Sequence, residues 1–131
     1  MTDQALTAEV QGFFEQYNKA FASIDGGRIA ALYYMPTVTM RADGSIHCLQ
    51  SREELARFFQ NVADTYRGEG YRDGRFNNLE VIAIGGRSVL ATMDWELLRG
   101  DGSVIRGWRQ SYNLVRVGSG WQILVSTFHV T

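Results

Sequence analysis

The sequence has little of the material from which cross-links and metal sites are built: one cysteine and two histidines in 131 residues. Cys48 alone cannot form a disulfide within the chain, and His47 and His129 lie too far apart in sequence for the ligand spacing of a zinc finger. We therefore expect no metal site. The glycine pairs fall in hairpin turns rather than before a helix, where a phosphate would bind, so no cofactor is predicted.

The chain also lacks an excess of charge and a long apolar run. It carries 13 Lys and Arg against 14 Asp and Glu, a net charge of −1, so we expect no surface that binds nucleic acid or an anionic membrane. No basic segment followed by an apolar one opens the sequence, and no apolar run is long enough to span a bilayer. These absences predict a soluble cytoplasmic protein without a nucleic-acid or membrane partner.

What the chain does contain is enough apolar material for a core. Of its 131 residues 45% are hydrophobic and 12% aromatic, and only one is proline. A chain of this length can bury about two-thirds of the surface that it exposes when unfolded. Because no repeat, low-complexity tract or linker divides it, we predict a single domain over residues 1–131.

Three stretches have the apolar spacing of helices. Between Val10 and Ile24 apolar residues recur every three or four positions, which predicts a helix of about 17 residues that begins near Thr7 and is ended by Asp25-Gly26-Gly27. A short second helix is predicted over Ile29–Tyr33, ended by Pro36. The sequence Ser51-Arg-Glu-Glu54 has the form of a capping box, so a third helix should follow it and end near Gly68.

The rest of the chain alternates with the period of strands. Residues 37–50 predict a hairpin around Asp43-Gly44, and beyond Tyr71 three further turns separate four long strands: Gly85-Gly86, Asp101-Gly102 and Ser119-Gly120. The predicted order is ααββαββββ. A sheet with three amphipathic helices on one side is an α+β domain, whose curved sheet forms a cone with a pocket at its wide end.

Two-residue turns fix the pairing of strands and therefore the residues that share a face. They predict one aromatic face toward the helices, on which Trp95 lies opposite Trp108 and Ala91 opposite Tyr112. With the facing helix residues and the first hairpin, this face supplies the predicted ligand-binding residues: Phe14, Tyr17, Met40, Phe76, Asn78, Met93, Trp95, Trp108, Gln110, Tyr112 and Thr127.

The opposite, outer face of the sheet is predicted to be partly apolar, with a cross-strand pair between Asp94 and Arg109. A patch of this kind is larger than a soluble monomer usually exposes. We therefore predict a homodimer through the outer face, with its apolar patch formed by Leu79, Val81, Leu90, Val115, Leu124 and Phe128.

Several short segments, together with the element order, resemble the nuclear-transport-factor-2-like (NTF2-like) superfamily, and most closely its SnoaL-like polyketide cyclase branch. These segments are Phe21-Ala-Ser-Ile-Asp25, Ile29-Ala-Ala-Leu-Tyr33, Arg41-Ala-Asp-Gly44, Ser51-Arg-Glu-Glu-Leu55 and Gly120-Trp-Gln-Ile-Leu124. The resemblance covers nearly the whole chain. It implies a cystatin-like cone, in which a curved antiparallel six-stranded sheet wraps around three helices. The superfamily holds isomerases, dehydratases, epoxide hydrolases, cyclases and noncatalytic modules, so the resemblance does not select an activity.

The enzyme patterns of the superfamily fit this sequence only in part. Tyr17 matches the first-helix tyrosine of the ketosteroid isomerases, but Met35–Arg41, where their catalytic aspartate would lie, contains no carboxylate. The carboxylate and arginine types of the epoxide hydrolases occur in Asp94 and Arg109, but on the predicted outer face. Glu80 is then the one strand carboxylate predicted to face inward.

Four residues are candidates for acid–base chemistry: Glu80, His47, His129 and Tyr17. Glu80 is a general base if it faces a dry pocket, and a surface residue if the register slips by one. His47 and His129 each have the ordinary alternative of a structural or terminal histidine.

Two functions remain open on the sequence alone. In the first, the cone binds a small, largely apolar organic molecule, with cofactor-free isomerisation, dehydration or cyclisation as an added activity. In the second, the cone is filled and the domain is a noncatalytic dimerisation or interaction module. An open cavity distinguishes the first from the second.

Overall fold

The computed structural model describes residues 2–131. The order ααββαββββ is confirmed, with the helices α1 (Asp3–Ala22), α2 (Gly26–Ala30) and α3 (Arg52–Gly68) and the strands β1 (Tyr33–Met40), β2 (Ile46–Leu49), β3 (Asp73–Ala83), β4 (Ser88–Leu98), β5 (Val104–Val117) and β6 (Gly120–Phe128). No helix in this part of the chain has the length and apolarity needed to cross a membrane.

The helix starts follow from side-chain caps. The Thr2 hydroxyl accepts a hydrogen bond from the Ala5 amide at 3.1 Å, so α1 begins four residues before the predicted start at Thr7. The Ser51 hydroxyl accepts from the Glu54 amide at 3.2 Å. The predicted third helix therefore begins after Ser51 and ends at Gly68, as expected.

The second helix differs from the prediction at both ends. Gly26 and Gly27 are its first residues rather than the end of α1, because the Asp25 carboxylate accepts from the amides of Gly27 and Arg28 at 3.0 and 3.2 Å. It ends at Ala30, and Tyr33 begins β1 instead of closing the helix. Tyr33 thereby becomes a fully buried strand residue.

The six strands form one sheet in the order β2-β1-β6-β5-β4-β3. Four neighbouring pairs are antiparallel, as predicted, whereas β1 and β6 run parallel. Pairing of consecutive hairpins could not predict this contact, because it joins strands from opposite ends of the chain. One face of the curved sheet packs on the helices, and Phe14 of α1 lies fully buried at the centre of that core.

The register of β4 and β5 is confirmed. Trp95 pairs with Trp108, Met93 with Gln110, Ala91 with Tyr112 and Val89 with Leu114. Along β4 buried and half-buried residues alternate strictly from Ser88 to Leu98. The irregularity in this pair falls between Leu97 and Leu98, beyond the residues in question.

The predicted inward and outward positions on β3 are wrong from the turn to the middle of the strand. The amide of Ile84 donates to the Ser88 carbonyl at 2.9 Å, which makes the turn three residues long instead of two. Glu80 consequently pairs with Thr92, and with Asn78 it lies on the outer face, while Val81 turns inward to Ala91. A bulge between Asn77 and Glu80 returns Phe76 to the predicted inner face, where it pairs with Trp95.

Beyond Ile123, strand β6 is inverted for a similar reason, whereas Trp121 and Ile123 are buried on the inner face as predicted. Its turn lies at Gly118-Ser119, and a bulge separates the pairing of Leu114 with Ile123 from that of Asn113 with Val125. Thr127 therefore faces outward opposite Ser111, and Phe128 faces inward opposite Gln110. The predicted inward positions of Thr127 and His129, and the outward position of Phe128, are wrong because a bulge moves every later side chain to the other face.

The predicted pairing of β1 with β2 in the first hairpin is also wrong by one residue. Its turn spans Arg41–Ser45, with the Arg41 amide donating to the Ser45 carbonyl at 2.8 Å, so His47 pairs with Thr39 rather than with Met40. Met40 pairs with Thr127 of β6 and shares its outer face. The same Arg-x-Asp-Gly-Ser sequence forms an equivalent turn over Arg99–Ser103, closed by a bond of 2.8 Å between the same backbone atoms.

Candidate functional site

A narrow cavity lies between the C-terminal half of α1, the end of α3 and the inner face of the sheet. Its free volume is about 30 Å³, which is room for one or two water molecules. It is lined by Tyr17, Asn18, Phe21, Arg41, Tyr66, Tyr71, Gly74, Trp95, Leu97, Trp108, Gln110, Tyr112 and Phe128. Four of these residues also line a wider, open cleft of about 580 Å³, which we call the mouth. The mouth is lined by Arg41, Ala42, Asp43, Phe58, Asn61, Val62, Thr65, Tyr66, Arg106, Gly107, Trp108 and Phe128.

The deep end of the cavity is a cluster of buried tyrosines. The hydroxyls of Tyr17 and Tyr33 are hydrogen-bonded at 2.9 Å, and the Tyr17 ring lies 5.9 Å from that of Tyr112. Burial raises the pKa of Tyr17 to about 12 and holds the pKa of Tyr33 and Tyr112 well above the ordinary value. These hydroxyls stay protonated near neutral pH, so they can donate hydrogen bonds but cannot act as bases.

A tryptophan and a glutamine form the wall between the deep end and the mouth. The Trp108 indole N–H donates to the side-chain oxygen of Gln110 at 2.8 Å, and the Trp108 ring stacks on Phe128 at 5.2 Å between centroids. Gln110 is only 3% exposed. Because its oxygen is occupied by Trp108, its NH₂ group is the part left to meet a ligand.

Arg41 provides the positive charge of the cavity. Its guanidinium carbon lies 4.7 Å from the centroid of Phe128 and 5.6 Å from that of Phe58. Within residues 2–131 no carboxylate lies within ion-pair distance of it. The aromatic faces stabilise the cation, and no counter-charge neutralises it.

No residue that titrates near neutral pH lines the cavity. Among the described residues, its wall contains no Asp, Glu, His, Cys or Lys. Burial also raises the pKa of Tyr71. The wall can therefore bind and orient a molecule through donors and aromatic faces, but it holds no side chain suited to take a proton at neutral pH.

The predicted ligand-binding residues divide into three groups. Five of them line the cavity: Tyr17, Trp95, Trp108, Gln110 and Tyr112. Three pack behind its wall, since Phe14 and Met93 are fully buried and Phe76 lies 5.1 Å from the Trp95 ring. The last three, Met40, Asn78 and Thr127, lie on the outer face and do not belong to the cavity.

Of the four acid–base candidates, only Tyr17 lines the cavity. The inward placement of Glu80 is wrong: its carboxylate lies 3.3 Å from Arg109 on the outer face. His129 is exposed on that face too, with its Nε2 2.7 Å from the Ser111 hydroxyl. His47 faces α3, where its ring lies 5.2 Å from Phe58, but it does not line the cavity.

The outer face holds a polar network of its own. Arg109 lies between Asp94, at 3.0 Å, and Glu80, and the predicted pair of Asp94 with Arg109 is confirmed. The side-chain amide of Asn78 donates to Asp94 at 2.8 Å. Hydrogen bonds from Asn78 and Arg109 lower the pKa of the Asp94 carboxyl. Residues 2–131 contain no cluster of three or more His, Cys, Asp or Glu that could hold a metal ion.

Sequence reasoning missed the part of the site that comes from turns and helix ends. The apolar spacing places Phe21 and Tyr66 on helix faces but does not assign them to the cavity, although the apolar stripes of two helices that cover one sheet must converge there. Arg41 enters the sequence analysis only as part of a turn. The Arg-x-Asp-Gly-Ser motif of that turn does not single it out, because Arg99 opens an identical turn and does not line the cavity.

Comparison with known proteins agrees with this architecture. The family described as NTF2-like protein (DUF6841) matches residues 8–131. Aln2 from a Streptomyces species is 18% identical, with 98% of this chain and 93% of that chain covered and a TM-score of 0.77. A domain with a cystatin-like fold from Nostoc punctiforme is 23% identical, with 98% and 78% covered and a TM-score of 0.73.

A third similar structure is an NTF2-like protein with a cystatin-like fold from Novosphingobium aromaticivorans. It is 14% identical, with 92% of this chain and 79% of that chain covered and a TM-score of 0.74. No curated protein matches the chain in sequence. At such identities the likeness shows the fold alone.

Proposed function

The chain belongs to this NTF2-like family, and we propose that it is a small-molecule-binding domain of the SnoaL-like type, which takes a largely apolar organic ligand at the wide end of its cone. The observation that carries the proposal is the continuity of the aromatic cavity with the open mouth through Arg41, Tyr66, Trp108 and Phe128. Sites of this kind combine aromatic walls with a few fixed polar groups. The ligand lies in the mouth and reaches the cavity with its narrow end.

Binding without proton transfer is the form of the proposal that the wall supports. An isomerase, dehydratase or cyclase of this type needs a base near the ligand. Glu80, His47 and His129 all lie outside the cavity, and the hydroxyl of Tyr17 stays protonated and does not serve as a base. We infer that the domain binds and orients its ligand rather than moving a proton on it.

The test is truncation of Trp108 together with a ligand screen. A thermal-shift screen of hydrophobic carbonyl compounds and aromatic acids is expected to find a stabilising ligand, and Trp108→Ala should weaken its binding by about tenfold or more, since the ring forms the shared wall. Because Trp108 is only half-buried, the loss of folding stability should stay below the about 3–5 kcal/mol of a core tryptophan. Calorimetric titration and urea unfolding measure the two effects.

Glu80→Gln is the control for this test, because Glu80 is exposed on the outer face and should leave ligand affinity unchanged. A large stability loss in Trp108→Ala with ligand binding intact would contradict the site. Loss of binding in Glu80→Gln would instead move the site to the outer face.

A second candidate function is a noncatalytic interaction module with a filled cone. The small free volume of the cavity, about 30 Å³, favours it. The same screen separates the two functions. If no compound that fits the mouth stabilises the protein, the interaction module is the better description.

We also propose a homodimer through the outer face, with a patch revised by the observed register. Ile82 is 58% exposed, and Leu90 beside it is half-buried on the same face. Val125 and Val115 continue this patch, whereas Val81 and Phe128 face inward. The opposite charges around Arg109 lie on the same face and suit a self-complementary two-fold contact.

Leu90→Arg should convert the dimer to a monomer, because a two-fold contact places two like charges in one apolar interface. Light scattering after size exclusion is expected to give about twice the chain mass for the wild type and the chain mass for the variant. Val104→Arg is the matched control, since Val104 is 40% exposed at the start of β5 and away from the patch. A wild-type monomer at micromolar concentration would overturn the dimer.

A further inference from the structure

We propose that the ligand of the cavity and mouth is an anion: a small planar carboxylate whose acid group pairs with Arg41 and whose ring lies against Trp108 and Tyr66. This inference rests on the proposed function and specifies its ligand class. It is carried by the juxtaposition of an arginine without a counter-ion, a buried amide donor and aromatic walls in one cleft.

The backbone holds Arg41 at a fixed point of the mouth. Its amide donates to the Ser45 carbonyl and its carbonyl accepts from the Gly44 amide, both at 2.8 Å. Gly44 has φ +83°, which the turn requires and glycine adopts without strain. The guanidinium then lies against Phe128 and Phe58, so one end of the side chain is fixed by the turn and the other by aromatic contacts.

The charge of Arg41 is not used inside the protein. Its guanidinium N–H groups have no hydrogen-bond acceptor among residues 2–131, whereas Arg106, on the other side of the same mouth, forms two hydrogen bonds to the Glu69 carboxylate. Three further arginines are paired with carboxylates: Arg75 with Glu96, Arg109 with Asp94 and Glu80, and Arg116 with Glu9. Several arginines outside the cavity and mouth, such as Arg28 and Arg87, also lack an ion pair among the described residues, so the inference depends on where Arg41 lies. A guanidinium with free donors beside an aromatic wall is the geometry that binds a planar carboxylate.

The carboxylate in the wall of the mouth does not neutralise this charge. Asp43 accepts hydrogen bonds from the Ser45 amide at 2.9 Å and from the Ser45 hydroxyl at 2.6 Å. These bonds lower the pKa of the Asp43 carboxyl and hold it on the turn. No ion pair joins it to Arg41 within the described residues.

The side-chain amide of Gln110 is a second donor in the wall. The Gln110 NH₂ group makes no hydrogen bond to residues 2–131, since only the Gln110 oxygen is engaged, by Trp108. Gln110 lines the cavity and is only 3% exposed. A wall that offers a cation and an unpaired amide donor, but no acidic side chain in the cavity, selects a ligand rich in acceptor oxygens.

The experiment compares two probes of nearly equal shape, naphthalene-2-carboxylate and its neutral carboxamide, by calorimetric titration of the full chain. The wild type should bind the carboxylate about tenfold more tightly than the carboxamide. Arg41→Gln should abolish this preference by weakening the carboxylate alone, while carboxamide affinity stays within about twofold. Arg41→Lys, which keeps the charge but not the planar fork, should retain part of the preference.

Arg99→Gln is the matched control. Arg99 occupies the first position of an identical Arg-x-Asp-Gly-Ser turn, but its guanidinium donates to the Ser103 hydroxyl and the Val104 carbonyl, both at 3.2 Å, and does not reach the cavity. This variant should keep the roughly tenfold preference. Thermal unfolding shows whether each variant folds. If Arg41→Gln does not fold, the preference measured for Arg41→Lys decides.

The outcomes separate the two levels of inference. Equal binding of both probes by the wild type, or a preference for the carboxamide, overturns the anionic ligand and leaves the small-molecule site in place. An equal loss of both probes in Arg41→Gln also overturns the pairing, because Arg41 then acts through the shape of the wall. Failure of both probes to bind the wild type overturns the anionic ligand, and the proposed function falls with it if the thermal-shift screen also finds no stabilising compound.

Discussion

Replacement of Phe14 by alanine is expected to lower the free energy of unfolding by about 3–5 kcal/mol, the range for a large aromatic removed from a core. Phe14 is fully buried. Its ring lies 4.8 Å from that of Tyr112, 5.9 Å from Tyr17 and 6.4 Å from Trp95. All three of these residues line the cavity, so the space left by Phe14 opens directly behind the wall. Urea unfolding followed by circular dichroism measures the loss.

Phe13 provides the control within the same turn of α1. It is only partly buried, although its ring lies 5.1 Å from that of Phe14. Phe13→Ala should therefore cost less than half as much as Phe14→Ala. Equal losses would mean that the core is centred elsewhere, and the position of the cavity behind Phe14 would then be wrong.

The parts of the fold that the sequence predicted well are those set by local signals. The stripe that contains Phe14 and Tyr17 and the cap at Ser51 each depend on residues a few positions apart. The β4–β5 register also held through Trp95 and Trp108, because a bulge between Leu97 and Leu98 offsets the extra residue of the Arg99–Ser103 turn. The aromatic half of the candidate site could thus be predicted from α1 and one hairpin.

The parts that failed depend on single extra residues in strands. A three-residue turn at Gly85–Arg87 moved Glu80 to the outer face, and a bulge in the β5–β6 pair did the same for Thr127 and His129. The alternation of apolar and polar residues along a strand does not reveal a bulge, because the polarity of the inserted residue does not distinguish it from its neighbours. The errors changed the chemistry assigned to the site, since the base they placed in it lies on the opposite surface.

Arg41 was missed for a different reason. Its place at the cavity depends on the parallel contact between β1 and β6, which brings the end of β1 beside Phe128. That contact joins segments far apart in the chain, as in the hydrogen bond between Thr39 and Ser126 with a separation of 87 positions. No short pattern in one sequence predicts it.

Replacement of Gly26 by alanine is expected to destabilise the fold more than the same replacement at any other glycine in a helix. A Cβ at this position would lie 2.2 Å from the Ala56 carbonyl oxygen and 2.8 Å from the Gln60 amide nitrogen, both backbone atoms of α3. The backbone cannot yield as a side chain can, so α2 and α3 must separate. We expect a loss of about 1–3 kcal/mol or more and a melting temperature lower by roughly 4–12 °C.

The same glycine also anchors the segment that leads to the site. The Gly26 amide donates to the side-chain oxygen of Gln60 at 2.9 Å, and the Gln60 NH₂ group donates to the Ile24 carbonyl at 3.1 Å. From α3, Arg52 then donates to the carbonyls of Ala30 and Tyr33. Displacement of α2 should therefore shift the start of β1, the strand that ends next to Arg41, and weaken ligand binding as well as stability.

Two other helix glycines serve as controls for the Gly26 variant. At Gly27 the nearest atom to a new Cβ belongs to the Asp25 side chain, at 3.3 Å, and at Gly12 nothing lies within 4 Å. Gly27→Ala should be close to neutral, and Gly12→Ala in the middle of α1 should raise stability by about 0.5–1 kcal/mol. Differential scanning calorimetry of the three variants tests the contact between α2 and α3 directly. If Gly26→Ala and Gly27→Ala have the same melting temperature, α2 and α3 do not approach as closely as described. The path from α3 through β1 to Arg41 then loses its support.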